Sequence, residues 1–453
     1  MAPSDLTNIF KAYDVRGTVP DQFNVDIARA VGVGFARFAK TSTILVARDM
    51  RPSGVELVAA FAEGAMSQGV NVIDLGLAST DLLYFAAGSL DAPGAMFTAS
   101  HNPAQYNGIK FCLSGARPVG VDSGLNDIRE VAVRELAQPS ASVASRGQLS
   151  QRNLLDAFAD HVVSFVDQDQ LIPLKVVADT ANGMGGLVVP AVCERLPQIQ
   201  LEVMFGELDG TFPNHPADPI QPANQKDLQA RVLSGGFDVG LAFDGDADRV
   251  FVVDEKGVGL SGSTTTALLA AAVLRKNPGA KIIHNLICSK AVPEVITEYG
   301  GVPIRSQVGH SYIKQLMAET GAVFGGEHSA HYYFLNNYRA DSGLIAAMHV
   351  FNEMSRSGEQ LSQVRIPFER YSASGEINTQ VNDPLAVIER VGAAFAAFPS
   401  DRLDGLTIDC GSWWFNLRPS NTEPLLRLNL EANNRDECDQ HVSEVLALIT
   451  QNA

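Results

Sequence analysis

The order strand, helix, strand occurs three times in this chain, and it confines the fold to sheets with helices laid on them. In the first copy Thr43-Ile-Leu-Val-Ala-Arg-Asp49 reads as a buried strand. Val55, Val58, Phe61 and Ala65 then fall at helical spacing between Gly54 and Gly69, and Asn71-Val-Ile-Asp-Leu75 is a second strand. The second copy runs from Leu174-Lys-Val-Val-Ala-Asp179 through a glycine-containing turn and helix to Leu201-Glu-Val-Met-Phe205. The third runs from Lys281-Ile-Ile-His284 through a helix ending near Tyr299 to Val302-Pro-Ile-Arg305. Spacings of roughly 100 to 130 residues predict three similar α/β domains and exclude a short-period solenoid.

Past Phe368 the pattern changes. A short helix over 384–398 precedes closely spaced strands near 406–409, 414–417 and 426–430, and Val442, Val445, Leu446 and Ile449 mark a closing helix. The expectation is three related α/β domains, rich in βαβ units with mixed sheets, plus a smaller C-terminal α+β domain. The small polar stretch 138–147 reads as a linker. The boundaries are set at 1–146, 147–253, 254–367 and 368–453. A chain of 453 residues is long enough for that many cores.

Composition removes several classes of function. No apolar run approaches the roughly 18 residues of a membrane span. Met1 to Gly17 lacks an apolar signal core and carries Lys11, Asp14 and Arg16, so a cytoplasmic protein without a membrane role is expected. The five cysteines are scattered with no CxxC pair, which predicts reduced thiols. A net charge of −17 argues against nucleic acid, whose backbone needs a basic face.

Four segments carry chemistry. Thr98-Ala-Ser-His-Asn-Pro103 presents Ser100 on a polar turn, with His101 beside it and Lys110 one hairpin away, beyond the tight-turn signal Asn107-Gly108. The plain alternative is a capping serine bonded to a nearby N–H. Asp244-Gly-Asp-Ala-Asp-Arg249 follows the buried run Val239–Phe243 and places three carboxylates at alternate positions. In extended backbone Asp244, Asp246 and Asp248 face one side, and like charges so close call for a hard cation such as Mg²⁺. An EF-hand is excluded by Arg249 at the sixth position, where glycine is required, and by the strand-like Val250–Val253. Gly325-Gly-Glu-His-Ser-Ala-His331 offers Glu327, Ser329 and His331 to sugar hydroxyls. Arg418-Pro-Ser-Asn-Thr-Glu-Pro424 combines a bidentate guanidinium with neutral donors, which suits a phosphate monoester. Tyr13, Arg16 and His310 are lesser candidates.

These segments, with the opening Phe10-Lys-Ala-Tyr-Asp-Val-Arg-Gly17, resemble the α-D-phosphohexomutase family over essentially the whole chain. The resemblance implies three related α/β domains and a fourth around a central cleft, Mg²⁺ as cofactor, and a hexose 1,6-bisphosphate as activator. It implies a phosphosugar substrate and a monomer or weak homodimer. Ser100 would carry the phosphoryl group and, with Asp244, Asp246 and Asp248, bind the metal. His101 and Lys110 would assist proton transfer beside Arg249 and His310. Tyr13, Arg16, Glu327, Ser329 and His331 would hold the substrate. Arg418, Ser420, Asn421 and Thr422 would grip the phosphate that is not reacting. Another basic residue often follows the third domain's first strand in this family, and Lys290 is the candidate here.

The activity so implied is reversible phosphoryl transfer between the 1- and 6-positions of mannose and glucose phosphates. A phosphoglucosamine mutase is the alternative within the family, although that branch usually has glutamine where this chain has His328. A non-catalytic phosphosugar-binding protein is the alternative outside it. A free lysine titrates at about 10.4, so Lys110 could act as a base only if buried or crowded by cations.

Overall fold

The computed structural model describes residues 6–419 and 425–451. The three copies of the strand-helix-strand pattern are one structural repeat with a longer reach than the sequence announces. In the first copy the parallel strand Thr43–Arg48 pairs with Asn71–Leu77 on one side and Gly94–Phe97 on the other. Tyr106–Leu113 then closes antiparallel on Gly94–Phe97. Taking the strands of a repeat in chain order, the sheet order is second, first, third, fourth. The second repeat has the same order, with Leu174–Asp179 between Ile199–Met204 and Val239–Phe243, and Val250–Asp254 antiparallel at the edge. The third repeats it again with Val302–Ser306, Lys281–Asn285, Phe324–Gly326 and Tyr332–Phe334. The first sheet is widened by Val15–Thr18 beside Tyr106–Leu113 and by Leu149–Gln151 beyond Asn71–Leu77.

Each repeat therefore ends in an antiparallel hairpin at the carboxyl end of its third strand. Parallel strands need long crossovers, but antiparallel ones need only a short loop, so this is where the backbone can turn sharply without a covering helix. Buried valines, isoleucines and alanines fill both faces of the central strands, and Ile44, Leu45, Val46 and Ala47 are fully buried. Such continuous apolar runs are expected of strands covered on both faces. One apolar core runs through the first three domains, a second packs around Phe35, Phe61 and Phe111 in the first domain, and a separate one holds the fourth.

The fourth domain is a fully antiparallel five-stranded sheet in the order Ser372–Gln380, Leu425–Ala432, Trp413–Pro419, Leu406–Asp409, Ser400–Asp401. Helices Pro384–Ala394 and Arg435–Thr450 accompany it, so the first of these stops short of the Phe398 expected from sequence. The linker at 138–147 forms neither helix nor strand. Among the described residues no helix is long and apolar enough to cross a membrane.

Two sequence expectations need correction. Asn107-Gly108 is not a turn but lies inside Tyr106–Leu113. Gly108 is needed there because a Cβ would stand 2.1 Å from the Val15 carbonyl of the neighbouring strand. The Asp244–Arg249 segment is not extended. It is the hairpin turn itself, with Ala247 N–H bonded to the Asp244 carbonyl at 3.2 Å and Ala247 at φ 59°.

Candidate active site

The chemistry-bearing segments occupy the same place in each repeat: the loop joining third strand to fourth. Ser100 lies between Gly94–Phe97 and Tyr106–Leu113. The aspartates lie between Val239–Phe243 and Val250–Asp254, and Glu327 to Ala330 between Phe324–Gly326 and Tyr332–Phe334. Each loop contains a non-glycine residue in the left-handed region: Ser100 at φ 50°, Ala247 at 59°, Ala330 at 65°. That conformation folds a short loop back on itself and costs about a kcal/mol per residue. In the fourth domain the antiparallel strands Trp413–Pro419 and Leu425–Ala432 flank residues 420–424 in the sequence. Ser420, Asn421 and Thr422 lie outside the described residues.

The first two loops meet face to face. A Cβ on Gly245 would stand 2.5 Å from the Ser100 carbonyl, so only glycine lets the backbones approach this closely. The contact delivers Ser100 to the carboxylates. Ser100 Oγ donates to Asp244 Oδ2 at 2.7 Å, and Arg249 Nη2 donates to Ser100 Oγ at 3.1 Å. Arg249 also binds Asp244 through Nε at 2.9 Å and Nη2 at 2.8 Å. Lys110, opposite Met96 in the sheet, reaches Asp246 and Asp248, each at 2.7 Å. Thr80 reaches in from the first domain, its Oγ1 donating to Asp246 Oδ2 at 2.6 Å.

Charge decides what this cluster can do. The three carboxylates are buried and their ligand atoms lie within 4.8 Å of one another. Burial pushes Asp244 and Asp248 upward, whereas Lys110 overcomes burial at Asp246 and holds it well below the usual range. Lys110 and Arg249 match two of the three negative charges. Asp246 Oδ1 and Asp248 Oδ1 remain buried with no hydrogen-bond partner. Buried oxygens without donors are costly, and an oxygen-only set with excess negative charge fits a hard divalent cation. The trio can hold a metal ion. Glu255, at the last position of the rejected calcium-loop pattern, instead accepts from the Ser362 N–H at 3.0 Å, beyond the strand that follows the trio.

Lys110 is buried, as a lysine base requires, but its neighbours are anions. Burial alone would lower its pKa; Asp246 and Asp248 outweigh that and hold it well above the ordinary lysine range. His101 and His331 are neutral instead. Burial, then Arg249 and Arg16, pushes His101 far below its ordinary value, and its Nδ1 accepts from Arg249, leaving the proton on Nε2. Burial lowers His331 to about 4. His331 stands between loops, with Ser329 Oγ at 3.0 Å, Glu327 Oε2 at 3.5 Å and Asp248 Oδ1 at 3.7 Å.

The remaining candidates ring this centre. Arg16 ties the Ser100 loop through Asn102 Oδ1 at 2.5 Å and pairs with Asp14. Glu327 is buried and raised by burial, and it accepts from Tyr333 Oη, Asn285 Nδ2 and the Gly309 N–H. A carboxylate has about four acceptor sites, so roughly one is left for a ligand. His310 opens helix His310–Thr320, packs edge-on to Tyr13 at 5.3 Å between ring centroids, and is held neutral by burial and Lys314. Burial raises Tyr13 to about 12. Tyr13 and Val308 share a cavity of about 280 Å³ with Arg402 and Arg418 of the fourth domain. Arg418 pairs there with Glu376 at 3.1 Å. Lys290 points elsewhere, binding Asp409 and the Gly411 carbonyl and so tying the third domain to the fourth.

Sequence reading missed a further buried ion pair, Lys314 with Asp341 at 2.7 Å, both side chains 2% exposed. Lys314 also lies 3.6 Å from the Tyr84 ring centroid. A helical lysine and an aspartate 27 residues later carry no local signal of pairing. Arg51, wholly buried behind the Ser100 loop, was missed too. Its only sequence signal is its place, just past a buried strand.

Comparison with known proteins accounts for this arrangement. Alpha/beta/alpha domains I, II and III of the phosphoglucomutase/phosphomannomutase family match residues 7–136, 156–257 and 261–371, and its C-terminal domain matches 376–448. A phosphomannomutase of Salmonella montevideo is 41% identical over 93% of this chain and 94% of its own length. The phosphohexose mutases of Xanthomonas campestris are 39% identical over the same shares. A phosphoglucomutase/phosphomannomutase family protein of Burkholderia thailandensis superposes with a TM-score of 0.88 at 29% identity, covering 98% of both chains. An Aspergillus fumigatus N-acetylphosphoglucosamine mutase, solved with GlcNAc-6P and magnesium, shares the fold at a TM-score of 0.66 and 13% identity, over 99% of this chain and 97% of its own. Four matched domains in one order, with the polar loops of the first three meeting at one centre, establish that the chain belongs to the phosphoglucomutase/phosphomannomutase family.

Proposed function

We propose that the protein interconverts hexose 1-phosphates and hexose 6-phosphates, with mannose and glucose as the sugars, by passing a phosphoryl group through Ser100. The observation that carries this reading is the Ser100 hydroxyl, held 2.7 Å from Asp244 and 3.1 Å from Arg249 where two repeats meet. A binding protein needs neither a nucleophile nor a carboxylate trio at that point.

The reaction starts from phosphorylated Ser100. The free hydroxyl of the bound hexose monophosphate attacks phosphorus, the P–O bond to Ser100 breaks, and a hexose 1,6-bisphosphate forms. The hydroxyl's proton passes to a base, and the serine oxygen left behind takes a proton in turn. After the bisphosphate reverses its ends, Ser100 attacks the other phosphate and the product monophosphate leaves. The same bisphosphate, added in trace, would phosphorylate a resting Ser100 and so act as activator.

The chain's residues divide this work by their charge. Arg249 faces the oxygen that becomes the leaving group, where a fixed cation is worth most. Lys110, held protonated, is a phosphate partner and not the base. Proton transfer falls to a neutral imidazole, and His331, set between Glu327 and Asp248, is deprotonated and so free to accept a proton. Asp244, Asp246 and Asp248, with the serine phosphate, would hold Mg²⁺, which supplies charge neutralisation on the migrating group. Arg418 with Ser420, Asn421 and Thr422 would grip the distant phosphate, and Tyr13, Arg16, Glu327 and Ser329 would hold the sugar between.

The test is phosphorus NMR of the protein with Mg²⁺ and a trace of glucose 1,6-bisphosphate. Glucose, mannose and glucosamine 1-phosphates are supplied in parallel. Conversion of the first two to 6-phosphates supports the reading; conversion of glucosamine 1-phosphate alone moves the protein to the other branch. No conversion of any refutes mutase activity.

A further inference from the structure

Ser100 sits in a strained conformation on a loop with no regular structure, yet a reacting oxygen must be placed to a fraction of an ångström. Something must fix that loop from behind. Among the described residues, Arg51 is the largest wholly buried side chain, and it lies just past the carboxyl end of Thr43–Arg48, next to the loop. All five of its guanidinium N–H donors are used. Nε donates to Asp49 Oδ2 at 3.2 Å. Nη1 donates to the carbonyls of Pro103 and Tyr106, both at 2.8 Å. Nη2 donates to the carbonyls of Ser100 at 2.9 Å and Asn102 at 2.6 Å. Asp49 fixes the base of this fork by also accepting from the Arg51 N–H at 3.0 Å. Phe212, from the second domain, covers the guanidinium at 5.2 Å.

Four carbonyls spread over residues 100–106 therefore converge on one rigid planar cation. Without it the Ser100 carbonyl would be a buried acceptor lacking this donor, the carbonyls of Asn102, Pro103 and Tyr106 would lose their common cation, and the left-handed turn at Ser100 would lose its restraint from behind. A lysine carries the same charge but only three donors with no fixed plane, so it cannot reproduce the set.

We propose that Arg51 is a positioning residue for phosphoryl transfer: it touches no substrate and sets the orientation of Ser100 Oγ by clamping the backbone of its loop. This rests on Ser100 being the phosphoryl carrier. An Arg51→Lys enzyme is then expected to lose roughly 100-fold in kcat with KM changed less than about threefold, because the loop is misplaced while the sugar and phosphate grips on the third and fourth domains are intact.

The deciding experiment pairs steady-state kinetics with hydrogen exchange resolved by peptide, on wild type and Arg51→Lys. The expected result is faster exchange confined to residues 99–106 together with the kcat loss. Exchange that rises equally throughout the chain would make Arg51 a merely structural residue and overturn the proposal. So would unchanged loop exchange, or kcat within twofold of wild type. If Arg51→Lys does not fold, Asp49→Asn loosens one arm of the fork instead, and the same changes in exchange and kcat support or overturn the proposal. If wild type itself shows no mutase activity, the reading of Ser100 fails, and the proposal, which rests on that reading, is overturned with it.

Discussion

Replacing Gly245 by alanine adds one methyl group where the aspartate loop meets the backbone of the serine loop. The Cβ would lie 2.5 Å from the Ser100 carbonyl, whereas ordinary contact begins at 3.4 Å, so the loops must part by about 0.9 Å. Neither side can yield as a side chain would, since the obstacle is backbone that Arg51 clamps from behind. Gly245 has no left-handed φ, so alanine brings no intrinsic strain of its own and the substitution isolates the separation. Overpacking of this kind costs about 1–3 kcal/mol of stability. Catalysis should suffer more, because the displacement falls between Ser100 Oγ and Asp244. A misplacement near 1 Å is worth roughly 100-fold in rate, or about 2.7 kcal/mol. The assay is the initial rate of glucose 6-phosphate formation from glucose 1-phosphate, read by coupled dehydrogenase absorbance on protein whose fold is checked by circular dichroism. A Gly245→Ala enzyme with kcat within threefold of wild type would refute the claim that this contact sets the geometry.

Three further outcomes are expected. Arg418→Ala should raise KM by roughly 10- to 100-fold with a smaller effect on kcat, because a charge-assisted grip on the distant phosphate is lost; unchanged KM and kcat would remove Arg418 from the substrate site. Stripping divalent cations should abolish turnover and Mg²⁺ should restore it, with Asp246→Asn needing far more Mg²⁺; full activity in chelator would sink the metal assignment. His284 is buried, which lowers it to about 4, so the folded state takes up its proton later than the unfolded chain does. Its contribution is therefore present above about pH 6.5 and lost as pH falls towards 4, amounting to about 3 kcal/mol. Melting temperature against pH should fall less steeply over that window in His284→Gln than in wild type, and parallel curves would contradict this.

The sequence made the repeats visible through their first two strands, because those are buried on both faces and read as unbroken apolar runs such as Ile44 to Ala47. The third and fourth strands escaped notice as a repeated hairpin. Phe324–Gly326 and Tyr332–Phe334 are three residues each, too short for periodicity to register. That hairpin is where the site is built, so the motifs were legible singly while their common position was not. Alternation pointed to converging aspartates, and they do converge, but through a turn at Ala247 that no spacing rule encodes. Lys110 shows a different limit. Sequence placed it near the serine, and only the surrounding charges, two carboxylates from another domain, decide that it stays protonated. Arg51, Thr80 and the Lys314–Asp341 pair act through partners distant in the chain, and nothing local distinguishes them from ordinary surface residues.

The central claim is that phosphate travels between sugar and sugar by way of Ser100. The most direct measurement charges the protein with radiolabelled phosphate from labelled glucose 1,6-bisphosphate, removes the free sugar, and adds unlabelled glucose 1-phosphate. The expected result is one labelled group per chain, found on the peptide containing Ser100 and absent from Ser100→Ala, which then moves to the sugar within a single turnover. Label that never enters the protein, or that stays on it while unlabelled product forms, would contradict transfer through Ser100.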